Sequence, residues 1–178
     1  MSSGSRYSGS AASRSGNPTG STSGSSTNTG YAPPRRSPTD SSYYDFHGHS
    51  ANSGRDPGTT WMYAADARAQ QANAPTQQVL GVRYAGYYGN KDSNGNPCFP
   101  LSMPPESMPN PRRPGHSSTG WLHHPLIPGE QTTYVSGTAR PGAVRSVYAP
   151  SDRTNFDVMY HDSGRGGDFS QATYVPRR

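Results

Sequence analysis

Apolar positions along this chain fall into a sparse first third and a patterned remainder. Residues 1–58 are almost entirely Ser, Gly, Thr, Asn, Pro and Arg, with Tyr31, Tyr43, Tyr44 and Phe46 as the main bulky side chains. From Thr59 onward Val, Leu, Met, Trp and Tyr become regular. Trp61 to Ala72 is rich in alanine and suits either a short helix or a strand followed by a loop, stopped by Pro75. A helix is expected over 76–89, with Thr76 as N-cap and Val79, Leu80, Arg83, Tyr84 and Tyr87 at helical spacing before Gly89-Asn90. Loop residues fill 89–118. Strand-like runs follow at 121–127, 142–148, 156–161 and 169–175, separated by turn residues such as Pro128-Gly129 and Pro150-Ser151-Asp152.

That order predicts an α+β fold: one helix packed on a four- to five-stranded antiparallel sheet, preceded by a disordered N-terminal arm. The arm is expected over 1–58 and the folded domain over 59–178. Ordering the arm would cost conformational entropy that so few apolar groups could not offset. Arg35-Arg36-Ser37-Pro38 has the look of a phosphorylation site, and residues 31–58 offer a docking segment for a protein partner.

Composition sharpens this picture. Only 29% of the 178 residues are apolar, and Gly and Pro number 21 and 18, which cannot support one core over the whole length. The net charge of +5 is carried by arginine, with Lys91 the single lysine. Guanidinium groups bind phosphate through two donors and stack on bases, so an arginine-biased surface suits RNA. Cys98 is the only cysteine, which excludes an intramolecular disulfide. No apolar stretch approaches membrane length, and the N-terminus carries no secretory h-region. The expectation is an intracellular protein, cytoplasmic or nuclear, and monomeric. His47-Gly48-His49 lacks further ligands at zinc spacing, so no metal and no other cofactor is expected. A phosphate-binding loop followed by lysine is also missing, which argues against nucleotide hydrolysis.

The late strands carry a resemblance. Pro141-Gly142-Ala143-Val144-Arg145-Ser146-Val147-Tyr148 resembles the Pro-Gly-x-x-Arg-hydrophobic run of the guanyl-specific, fungal-type ribonucleases of the ribonuclease/ribotoxin superfamily. Phe156 to His161 resembles the next strand of that family, and His161 to Phe169 keeps its spacing through a Gly-rich turn. Trp121 to Ile127 resembles the strand that bears the catalytic glutamate. Phe99-Pro100 resembles the Tyr-Pro that opens the first sheet strand, and Thr76 to Gly89 resembles the helix.

The resemblance implies a cleft in which Arg145 holds phosphate, His161 acts as general acid and Phe169 walls the leaving group. It implies attack of a ribose 2′-hydroxyl on the adjacent phosphate, giving a cyclic product. The sequence departs from the family at several points. His123 stands at the glutamate position, and Leu101 stands where a histidine follows the Tyr-Pro. The disulfide cysteines are missing, and Glu106 is only a loose counterpart of the guanine-reading glutamate. His123 could take a proton only when neutral, and positive charge nearby lowers its pKa. The expected catalytic set is therefore His123, Arg145 and His161, with Phe169, Glu106 and Phe99 contacting substrate. The expected function is that of a catalytically degenerate, single-stranded-RNA-binding protein with weak or absent endonuclease activity. The alternatives are an active endoribonuclease with His123 and His161 as base and acid, or an interaction protein working through its arm.

Overall fold

The computed structural model describes residues 40–51, 59–78, 80–137 and 140–177. Most of the expected arm, 1–39 and 52–58, lies outside them. Residues 40–51 are part of the fold. Tyr43–Asp45 forms strand β1, and Phe46 just after it is fully buried. A phenylalanine of this size gains about 1.5–3 kcal/mol on leaving water, enough to hold a short strand in place.

β1 is the middle strand of a small antiparallel sheet, between β2 (Trp61–Tyr63) and β9 (Thr173–Val175). β2 runs straight into the helix α1 (Ala64–Gln71), so the alanine-rich segment forms both of the elements it suited. The helix buries Ala64 and Ala67, whose small side chains allow close approach to the sheet. Its buried Gln70 is fully employed. The side chain donates to the carbonyls of Ile127 and Glu130 at 2.9 and 2.8 Å and accepts from the Ile127 amide at 2.9 Å. Gln70 thereby pins the loop that leads to Tyr134.

The main sheet has the order β3-β5-β6-β7-β8, formed by Gly86–Tyr88, Ser117–Pro125, Val144–Ala149, Asp152–His161 and Phe169–Gln171, all antiparallel. β4 (Glu106–Pro109) pairs with the first half of β5. The architecture is α+β, with one α-helix and mostly antiparallel sheet among the described residues.

The expected helix over 76–89 does not form. Gly81 takes φ +82°, a left-handed value that breaks a helix, and Leu80 and Val82 are 67% and 41% exposed. Leu80 and Val82 lie on a loop with their side chains outward, Tyr84 turns inward, and a short edge strand follows. Phe99 and Leu101 likewise lie outside the strands: the strand beside His123 is β3, preceded by Tyr84-Ala85.

The pleat divides the main sheet into two faces. Leu122, Val144, Tyr148, Val158 and Tyr160 belong to cores that also take in Phe46, Met62 and Ala67. The opposite face carries Tyr88, Trp121, Val147, Met159 and Phe169, covered in part by Phe99 and Leu101. By the strand register, His123, Arg145 and His161 fall on this second face.

Candidate functional site

Cross-strand pairing brings four of the expected residues together. Gly86 is opposite His123, His123 is opposite Val147, and Arg145 is opposite Met159, two residues before His161, which pairs with Phe169. His123, Arg145, His161 and Phe169 line one cleft of about 240 Å³, together with Arg83 and Tyr84. A neighbouring cleft of about 350 Å³ shares Arg83 and His123 and adds Gly86, Asn110 and Arg112.

His161 is held by the turn that follows it. Gly166 and Gly167 take φ +67° and +92°, which side-chain-bearing residues rarely adopt, and Asp162 caps the turn by accepting from the Gly164 amide. The Gly167 carbonyl then lies 2.6 Å from His161 Nδ1. A carbonyl only accepts, so Nδ1 carries a proton and Nε2 is left for chemistry. Phe169 backs the imidazole at 4.0 Å between ring centroids, fixing its plane.

Arg145 is only 3% exposed. Its Nη1 donates to the carbonyls of Pro141 and Val144 at 2.8 and 2.7 Å, and Nη2 donates to the Tyr84 hydroxyl at 3.1 Å. The Tyr84 ring also sits under the guanidinium, 5.0 Å from its carbon. Nε is buried without a partner. The arginine is thus clamped by its own chain, with little of its donor set facing outward.

His123 stacks on Tyr88 at 5.9 Å with rings 17° apart, and its Nδ1 is buried without a partner. Burial first, then the positive charges of Arg145, His124, His161 and Arg83, bring its pKa down to about 3. The imidazole is therefore neutral at physiological pH, with a basicity near that of a carboxylate. Gly86 makes its place: a Cβ there would fall 2.6 Å from His123 Nε2.

The other expected contacts fall elsewhere. Glu106 is tied to Ser151, accepting from its amide at 3.1 Å and from its hydroxyl, so it braces the β6–β7 turn and does not line the cleft. Phe99 stacks against Tyr88 at 6.3 Å as a buried support behind the cleft wall. Sequence reasoning missed Arg83, Tyr84 and Gly86, because the segment was read as helix. The signal available was Gly81 and Gly86 themselves, two poor helix formers within six residues.

Arg83 and Arg112 make no ion pair among the described residues, whose only two are His49–Asp162 and Arg68–Asp40. No group of His, Cys, Asp or Glu among those residues is arranged to hold a metal ion, and no helix among them is long and apolar enough to cross a membrane. No protein-family profile, curated protein or solved structure matches the chain.

Proposed function

We propose that the protein binds single-stranded RNA across these two clefts and cleaves it weakly or not at all. The observation that carries this reading is the convergence of the exposed Arg83 and Arg112 on one surface, backed by the buried Arg145, with no carboxylate among the lining residues. Unneutralised guanidinium groups beside aromatic rings favour a phosphodiester chain with unpaired bases. The degenerate ribonuclease resemblance supports the same surface.

Cyclising cleavage needs a base for the 2′-proton, an acid for the 5′-oxygen and charge on the phosphorane. His161, with Nε2 open, fits the acid. His123 fits the base in protonation state, since it is neutral. On taking a proton it would become a second cation beside Arg145, whereas a carboxylate would pass from anion to neutral. Gly86, paired opposite His123, offers no second acid/base group. Most of Arg145's donors are already used. Each of these features lowers the rate while leaving an anion-binding surface.

The test is a fluorescent single-stranded RNA containing all four bases, followed both for binding and for 2′,3′-cyclic phosphate ends. Binding is expected to weaken with salt, with a logarithmic slope of about −0.7 for each phosphate neutralised, and to survive His161→Ala. Arg83→Ala is expected to weaken it about tenfold, in line with loss of one charge-assisted contact. Cyclic ends that vanish in His161→Ala would favour the active endoribonuclease instead. Salt-independent binding, or none, would overturn both readings.

A further inference from the structure

The outer face of the small sheet carries an aromatic cluster that the RNA reading does not use. In β1 and β2 the pleat turns Met62 fully inward and packs Tyr44 against Phe156, which leaves Tyr43, Asp45, Trp61 and Tyr63 on the opposite side. The register places Tyr43 across from Tyr63 and Asp45 across from Trp61. These four line a cleft of about 410 Å³, together with Ser41 and Arg177.

The ring geometry is that of walls. Trp61 stands at 68° to Tyr43 and 86° to Tyr63, with centroids 5.7 and 4.7 Å apart. A row of stacked nucleobases needs parallel faces, and a carboxylate at the site repels phosphate. Perpendicular rings with a carboxylate beside them instead present several negative π faces and a formal negative charge to one rounded cation. Asp45 is held in place by the His47 amide, which donates to Oδ1 at 2.9 Å, and it makes no ion pair among the described residues. A cation already occupies one wall: the Arg177 guanidinium lies 5.0 Å from the Tyr43 centroid. A planar guanidinium covers one ring face, whereas a globular ammonium can meet all three.

We propose that Tyr43, Trp61 and Tyr63, with Asp45, form a cage for a small quaternary ammonium group, and that Arg177 is a tethered competitor for it. This site is separate from the arginine-lined clefts and does not depend on the RNA reading.

The experiment is a calorimetric titration of the full chain with choline and with 3,3-dimethylbutan-1-ol, in which carbon replaces the charged nitrogen. Choline is expected to bind saturably and the neutral analogue about tenfold more weakly, the difference that a cation over aromatic faces makes. Trp61→Ala should abolish choline binding. Asp45→Asn, a surface change that spares the fold, should weaken it several-fold. Arg177→Ala should tighten it, since the tethered guanidinium no longer competes. Equal binding of the two ligands would overturn the proposal. So would absence of saturation by choline in both the wild type and Arg177→Ala, with circular dichroism showing both folded. Loss of oligouridine binding in Trp61→Ala without any choline binding would assign the surface to RNA instead.

Discussion

His123 and His124 are neighbours on one strand, and the pleat sends them to opposite faces of the sheet. Both are pushed toward the neutral form by burial and by the charge of Arg145, to about 3 and about 4. Their surroundings otherwise differ. His124 is 2% exposed, and its Nε2 lies 3.1 Å from the Tyr134 carbonyl in the loop pinned by Gln70. His123 stacks on Tyr88 and opens on both arginine-lined clefts. The same side chain therefore holds a loop on one face and shapes a site on the other. A shifted pKa by itself does not distinguish the two roles; the partners of the ring do.

The largest effect should come from breaking the structural member of this pair. His124→Ala removes a fully enclosed ring and the anchor of the Tyr134 loop, and is expected to cost about 2–4 kcal/mol, as large-to-small core changes do. Chemical denaturation would measure it. His123→Ala is expected to cost less than half as much while lowering RNA affinity. Equal losses of stability would erase the distinction between the faces.

Acid should act on both histidines together. Each stays neutral in the folded chain at pH values where an unfolded imidazole, titrating near 6.5, takes up a proton. Their contribution is therefore fully present above pH 6.5 and is lost as the pH falls toward about 4 for His124 and about 3 for His123. Between pH 7 and pH 5 each should remove about 2 kcal/mol, from the 1.36 kcal/mol per pH unit of linkage. Denaturation midpoints across that range, compared with His124→Gln, would separate the two. A variant whose acid dependence matched the wild type would refute the assignment for His124.

How much of this was legible in the sequence follows from where long-range contacts decide the local structure. The strands bearing His123, Arg145, His161 and Phe169 were readable, since β-branched and aromatic residues there are bounded by clear turns. The Gly-rich turn after His161 was readable for the same reason. The segment from Thr76 to Tyr88 was not. Its apolar residues matched a helical period, yet its conformation follows from Gly81 and from Gly86–Tyr88 pairing with a strand more than thirty residues later. β1 was missed because three residues in a polar tract carry no period of their own, and Phe46 is buried only by distant partners such as Tyr160. Glu106 was placed by analogy, and its ties to Ser151 could not be seen without the turn they brace.

The finest test concerns Gly86, whose missing side chain leaves room for the His123 ring. An added Cβ would meet His123 Nε2 at 2.6 Å and Cδ2 at 3.0 Å, with the Arg83 carbonyl at 3.1 Å. The ring can move only by giving up its stack on Tyr88, so Gly86→Ala is expected to cost about 1–2 kcal/mol as overpacking does. Removing the ring should relieve most of that strain, leaving only the tighter contact with the Arg83 backbone. Gly86→Ala combined with His123→Ala should then be more stable than the sum of the single changes by about 0.5–1 kcal/mol. Combined with His124→Ala, on the other face, Gly86→Ala should simply add. Coupling to both histidines, or to neither, would mean that the space at Gly86 is not made for the His123 ring.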